Sequence, residues 1–333
     1  MNTFGRIFRV SIFGESHGEC VGITIDGCPA GLSLTDEDLL PDLERRKGGK
    51  QKGTTPRQEA DYPIFKSGVF NDKTTGFPIT ILFENNNTRS EDYQKQRSIP
   101  RPGHADWVAH QKFGGFEDYR GGGHFSARLT TGLVAAGAIA KKLMSQINIQ
   151  AAVTHINGET DLEKGLQNAI DAKDSVGGIV ECKVTGMPIG LGEPYFDSLE
   201  SVLSHIMFAI PAVKGIEFGS GFAAANMFGS QHNDAITNEQ GTTKTNHAGG
   251  IVGGISNGNE LVFRLAIKPT SSTPKEQQSL NWETGEIENF SIKGRHDLCV
   301  ALRAPVIVEA CTALVLADMM LLEQRIPRVI NNA

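Results

Sequence analysis

The chain has 333 residues, 39% hydrophobic and 21% charged, with a formal net charge of −6 at pH 7. This is the composition of a soluble globular protein with room for a sizeable core, and its acidic balance excludes a general nucleic-acid binder, which needs a basic surface. The five cysteines (Cys20, Cys28, Cys182, Cys299, Cys311) show no CxxC or finger spacing, so a disulfide framework or zinc module is not expected and a reducing cytoplasm is.

Phe8 to Phe13 alternates apolar and polar residues and predicts a strand. It runs into Gly14-Glu15-Ser16-His17-Gly18, and Val21 to Ile25 predicts a second strand. His17 therefore falls on a tight turn, where an ordinary surface histidine and a functional one both remain open. Thr35 is placed to cap a helix with Asp36, Glu37 and Asp38 in its first turn, and Pro41 demands a kink or restart. That helix ends in Arg45-Arg46-Lys47. The basic run that continues through Lys50 and Lys52 reads either as a solvated helix end or as an anion-gripping loop.

Val69 to Phe70 and Ile79 to Phe83 are predicted as strands joined by a turn at Asn71 to Gly76. Asn85 to Pro100 is polar and long for a structureless segment, the pattern of a lid or binding loop. Arg101-Pro102-Gly103-His104-Ala105-Asp106 follows, then a short helix over Ala105 to Phe113, on which His110 is read as structural. Next comes Asp118-Tyr119-Arg120-Gly121-Gly122-Gly123-His124-Phe125-Ser126-Ala127-Arg128, leading into a helix from about Ala127 to Gln146 that is rich in glycine and alanine. Glycines let a backbone approach closely, a helix N-terminus attracts anions, and arginines fit phosphate or carboxylate. The segment therefore reads as a site for a multiply charged anion, with histidines able to move protons near neutral pH.

Further on, strands are predicted over Gln150 to Ile156, Gly178 to Thr185, Ile216 to Phe218 and Glu260 to Ile267. Helices are predicted over Leu162 to Ala172, from Asp197 or Ser198 to about Ala209, and from about Val306 to Arg325. Asn246-His247-Ala248-Gly249-Gly250 opens a second glycine cluster, and Lys268-Pro269-Thr270-Ser271-Ser272 is dense in donors for phosphate oxygens. Site-like elements lie in both halves of the chain, which favours a single domain over residues 1–333. There is no GxxxxGK[ST], HExxH or GxSxG, and no acidic or histidine residues stand at metal-ligand spacings.

Taken in order, Gly14-Glu15-Ser16-His17-Gly18, Arg101-Pro102-Gly103-His104-Ala105-Asp106, Asp118 to Gly123, Asn246 to Gly250, Lys268 to Ser272 and Gly294-Arg295-His296-Asp297 resemble the motifs of the chorismate synthase family over nearly the whole chain. The resemblance implies an α/β (α+β) sandwich, with helices between two antiparallel sheets, assembled as a homotetramer. It implies a carbon–oxygen lyase that converts 5-enolpyruvylshikimate 3-phosphate, a small anionic substrate, to chorismate and phosphate by a net 1,4-elimination. Reduced FMN would be required without net redox change, supplied by an external flavin reductase, with an association with NADP; neither nucleic acid nor membrane would be a partner.

By position the resemblance assigns His17, His104 and Asp297 to catalysis, and Ser16, Arg46, Lys52, Arg101 and Arg128 to substrate. It assigns His124, Phe125, Ser126, Ala212, Gly253, Lys268, Pro269, Thr270, Ser271, Ser272 and Arg295 to the flavin. Lys52, Gly48 and His124-Phe125 stand where the family commonly has arginine, proline and Arg-Ser. Two other readings compete with the lyase: a flavin oxidoreductase using the same pocket, and a non-catalytic binder of phosphometabolites or RNA. Two tryptophans and four tyrosines offer little for RNA stacking.

Overall fold

The computed structural model describes residues 2–49, 52–56, 59–87, 97–292 and 296–331. The strands β1 (Thr3–Phe4), β2 (Arg9–Gly14) and β3 (Cys20–Asp26) lead through a 3-10 turn at Asp36–Asp38 into α1 (Leu40–Arg46). Pro41 lies in the first turn of α1, where it needs no N–H partner, so the expected restart is found there. β4 (Ile64–Ser67), β5 (Val69–Phe70), β6 (Lys73–Thr74) and β7 (Ile79–Glu84) follow, then α2 (Asp106–Phe113) and α3 (Thr130–Leu143). The second half runs β8 (Asn148–Ile156), α4 (Leu162–Ala172), β9 (Gly178–Thr185), α5 (Leu199–Met207), β10 (Val213–Phe218) and α6 (Gly229–His232). It ends with β11 (Ile251–Val252), β12 (Ile255–Ser256), β13 (Leu261–Ile267), β14 (Gln277–Leu280), β15 (Ile287–Phe290) and α7 (Ala304–Leu322).

Two antiparallel sheets form the outer layers, one ordered β1-β2-β3-β7-β4 and the other β10-β13-β9-β8. Each buries one face by simple alternation. Ile79, Ile81 and Phe83 point inward from β7, and Leu261, Phe263, Leu265 and Ile267 from β13. Between the sheets, α3 packs on β3 and β7, α7 packs on β8 and β9, and the two helices pack on each other. This is the expected sandwich of helices between antiparallel sheets.

Small residues set the spacing of the layers. A Cβ at Gly137 on α3 would lie 2.3 Å from the Cβ of Ala310 on α7. Only a bare backbone there lets the helices come this close. α7 is apolar all round, as a fully buried helix must be, and is buried without interruption from Val306 to Leu321. Its two carboxylates are matched by donors. Glu309 accepts from Arg45 Nη1 and Nη2 at 2.7 Å each, from Lys141 Nζ at 3.0 Å and from the Ala151 N–H at 3.0 Å. Asp318 accepts the backbone N–H groups of Arg6, Ile7 and Phe8 at 2.9, 2.7 and 2.8 Å, which ties the last helix to the first residues of the chain.

Two expectations need correction. The strand at Val69–Phe70 does not pair with the one at Ile79; it closes a small hairpin with Lys73–Thr74, and β7 pairs with β3 and β4 instead. The turn residues Asn71 and Asp72 both take positive φ, so the chain reverses sooner than the glycine at 76 suggests. The central helix begins at Thr130, not Ala127, because Ala127–Leu129 forms a tighter 3-10 turn capped by Ser126.

Candidate active site

A cavity of about 550 Å³ opens where several loop segments meet. They include the turn after β2, the end of α1 and the loop that follows it, the loop before α2, the glycine run before α3, the loop between α5 and β10, the loop after β13 and the segment before α7. Among the described residues, six cations line it (Arg46, Lys47, Arg101, Arg128, Lys268, Arg303) against three carboxylates (Glu59, Asp61, Asp297), together with His17, His104, His124 and His296. The excess of positive charge suits an anionic ligand.

The three glycines act differently from a phosphate cradle. Gly121 and Gly122 have φ of +59° and +82°, which only glycine adopts freely. A Cβ on Gly121 would lie 2.2 Å from His17 Nδ1 and Cε1, and one on Gly122 would lie 3.2 Å from His104 Cε1 and 3.3 Å from Nε2. The missing side chains thus make room for the two imidazole rings, which rest against consecutive residues of one backbone. Ser16 is fully buried behind them, and its N–H donates to Gly123 O at 3.1 Å, which fastens the histidine turn to the glycine run.

Each buried arginine reaches the cavity already matched to a carboxylate. Asp61, itself buried and at φ +48°, accepts from Arg46 Nη1 at 3.2 Å and from Arg128 Nη1. Arg46 also donates to Thr130 Oγ1 at 3.0 Å and to Ala127 O at 2.9 Å. Burial drives its pKa down to about 9, opposed by Asp61, which leaves it a cation at neutral pH. Arg128 donates further to Asn85 Oδ1 at 3.0 Å and Glu84 O at 3.1 Å. Arg101 is bidentate to Asp106, with Nε and Nη2 both at 2.7 Å, and its Nη1 reaches Ser272 Oγ at 3.3 Å.

Asp106 also faces His104 Nδ1 at 2.6 Å. Burial alone would raise the Asp106 pKa, but hydrogen bonds from Arg101 and His104 hold it well below the usual carboxylate range. Asp297 accepts from the Thr55 N–H at 2.8 Å and from Arg303 Nη1 at 3.1 Å. His296 is pushed below its ordinary 6.5 by burial first and by the nearby Arg101 charge second, so it is neutral at neutral pH.

The loop after β13 is stitched to its neighbours. Lys268 N–H donates to Ala212 O at 2.9 Å and Lys268 Nζ to Ser271 Oγ at 2.9 Å, while Ser271 Oγ donates to Gly103 O at 2.7 Å. Burial lowers the Lys268 pKa, and the charge of Lys214 adds to that. Phe125 leaves a large part of its ring exposed in the cavity, and His124 sets Nδ1 2.9 Å from Gly14 O.

The cavity therefore gathers His17, His104, Asp297, Arg46, Arg101, Arg128, His124, Phe125, Ser126, Ala212 and Lys268 to Ser272. Three expected residues are not among its lining. Ser16 sits behind it, Lys52 Nζ donates instead to Gln167 Oε1 on α4 at 3.1 Å, and Gly253 turns the β11–β12 hairpin. Arg295 lies outside the described residues, as do Lys50 and most of the expected lid. Sequence reasoning missed Asp61, Asp106, His296 and Arg303 as site residues. Asp106 and His296 stood inside quoted motifs, whereas nothing around Asp61 marks it as the shared partner of two arginines.

A family model described as chorismate synthase matches residues 8–321. A chorismate synthase of Chitinophaga pinensis is 68% identical over 333 residues, covering all of both chains. One of Dehalococcoides mccartyi is 44% identical, covering 99% of each chain, and one of Synechocystis is 44% identical, covering 96% of this chain and 97% of its own. A solved crystal structure of chorismate synthase superimposes with a TM-score of 0.73 at 27% identity, covering 96% of this chain and 93% of that one. The chain belongs to the chorismate synthase family of lyases, whose role is chorismate formation in aromatic biosynthesis.

Proposed function

We propose that this cavity binds 5-enolpyruvylshikimate 3-phosphate beside reduced FMN and eliminates phosphate and a ring proton to give chorismate. The observation that carries the reading is the pair of histidines, His17 and His104, held against Gly121 and Gly122 in a cavity where cations outnumber carboxylates. Two anions brought together away from water need such compensation.

The residues present fit a flavin. Phe125 offers an apolar face, the Lys268 to Ser272 loop offers hydroxyl, amide and ammonium donors, and a volume of about 550 Å³ lies within the range of pockets that enclose large ligands. His124, Phe125, Ser126, Ala212 and the Lys268 to Ser272 loop would hold it. Bound there, reduced FMN would supply electron density to the breaking carbon–oxygen bond without net redox change. His17 gives a proton to the departing phosphate, whose oxygen leaves with the bonding pair. His104 would balance the charge of the bound cofactor, and Asp297, held by Thr55 and Arg303, would relay away the proton lost from the ring. Arg46, Arg101 and Arg128 supply the fixed positive field in which the substrate phosphate and carboxylates settle, and Ser16 supports the His17 turn from behind.

A cytoplasmic homotetramer fed by an external flavin reductase completes the reading. Large exposed side chains such as Phe222 and Phe228, 83% and 77% exposed, support self-association, and sedimentation velocity tests it. The activity is tested anaerobically with substrate and a sub-stoichiometric amount of chemically reduced FMN. Many turnovers per flavin are expected. Product capped at the amount of flavin would instead indicate net redox chemistry, and absence of product would refute the assignment.

A further inference from the structure

We propose that Asp106 is the positioning residue of His104, holding the imidazole proton on Nδ1 so that Nε2 is the nitrogen that exchanges a proton in the cavity. The inference rests on His104 handling a proton or charge as proposed above, but the orientation itself follows from geometry.

Four donors converge on the Asp106 carboxylate. Oδ2 accepts from the Arg101 N–H at 3.1 Å and Arg101 Nε at 2.7 Å, and Oδ1 faces Arg101 Nη2 at 2.7 Å and His104 Nδ1 at 2.6 Å. Arg101 Nη2 also lies 3.0 Å from His104 Nδ1. A guanidinium only donates, so Nδ1 has two exclusive options: it accepts from Arg101, or it donates to Asp106. The first would set two lone pairs face to face across 2.6 Å with no proton between them. The second places a proton in that short gap and leaves Arg101 Nη2 with Oδ1 as its acceptor. The carboxylate is held ionised by Arg101, so the proton belongs to the ring.

The supporting parts are rigid. Asp106 is the first residue of α2, Arg101 is buried, and Ser271 fixes the intervening loop through Gly103 O at 2.7 Å. Turning the ring over would put Cδ2 where Nδ1 stands and so lose the contact with Asp106. An orienting carboxylate of this kind commonly fixes the tautomer of a working histidine.

Asp106→Asn makes the idea testable because the shape is kept while one oxygen becomes a donor. Two Arg101 donors face the Oδ2 position and one faces Oδ1, so the amide oxygen settles at Oδ2. The NH2 group then faces His104 Nδ1, which must accept, and the ring proton moves to Nε2.

Wild type and Asp106→Asn would be prepared with imidazole-15N histidine, and His104 assigned by the signal missing in His104→Gln. At a pH where His104 is neutral, wild type should show a protonated Nδ1 and an unprotonated Nε2, and Asp106→Asn the reverse. Turnover in Asp106→Asn should fall on the order of 10²-fold, with the melting temperature reporting folding separately. The proposal is overturned if wild-type His104 carries its proton on Nε2, or if Asp106→Asn keeps both the Nδ1 proton and turnover within about two-fold of wild type. If Asp106→Asn does not fold, the wild-type spectrum alone decides. If wild type makes no chorismate, the proposed function fails, while the nitrogen spectra still judge Asp106.

Discussion

Replacing Gly121 by alanine tests whether the glycine run exists to seat His17. The new Cβ would lie 2.2 Å from His17 Nδ1 and Cε1, where an ordinary contact is about 3.5 Å, so ring or backbone must shift by about 1.3 Å. A displacement of about 1 Å at a reacting group costs on the order of 10²-fold in rate, or about 2.7 kcal/mol. Separately, alanine at φ +59° carries a backbone penalty of about 1–2 kcal/mol, which lowers Tm by only about 1.5 °C per kcal/mol in a chain of this size. Gly158→Ala separates the two effects, because Gly158 has φ +79° with no atom within 4 Å of its would-be Cβ. Both variants should lose similar backbone stability by calorimetry. Only Gly121→Ala should lose about 10² in kcat in the anaerobic chorismate assay. If Gly121→Ala turns over at the same rate as Gly158→Ala, the account of the glycine run is wrong.

His17→Ala and His104→Ala should each lower kcat by about 10²–10⁴ while flavin fluorescence titration shows FMN still bound; turnover near wild type in both would remove the proton roles. Asp61→Asn leaves Arg46 and Arg128 without their shared carboxylate and should cost about 3–5 kcal/mol of unfolding free energy in guanidinium titration, with a loss below about 1 kcal/mol counting against it. Glu309→Gln should cost a similar amount near neutral pH. Burial alone would raise the Glu309 pKa, but Arg45 and Lys141 outweigh it and hold it below its ordinary 4.5. Its contribution is therefore present above about 4.5 and lost as pH falls through the folded-state value. The gap between wild type and Glu309→Gln should narrow in acid, and a gap that widens there would contradict the sign.

Periodicity carried most of the fold. The alternation over Phe8 to Phe13 marked β2, the strands β7 and β13 fall where they were read and each buries one face, and α4 and β9 lie where the pattern put them. Pairing was less legible: Ile64–Ser67 is too short and too mixed to announce β4, and β5 finds its partner through a turn made by Asn71 and Asp72. The order of strands within each sheet depends on contacts between distant residues, which no local pattern encodes; the family resemblance implied only helices between two antiparallel sheets.

At the site, residue types in motifs were legible and their partners were not. The arginines signalled an anion site, but their pairing with Asp61 and Asp106 arises only when loops far apart in sequence meet. The glycines signalled close approach, but what approaches is a pair of imidazole rings instead of a phosphate.

The hold of Asp318 on residues 6–8 bears on how the chain comes off the ribosome. Of the two helices between the sheets, α7 is made after the strands of both, and its Asp318 carboxylate anchors the backbone N–H groups of Arg6, Ile7 and Phe8, immediately before β2. Until residue 318 has emerged, the strand leading to His17 lacks that anchor, and α3, β8 and β9 lack the helix they pack on. At about 5–20 residues per second, residues 6–8 wait on the order of 10 seconds or more for their anchor on α7. Assembly is thus dominated by late, long-range closure, the regime in which folding is slow and nascent chains need protection from one another.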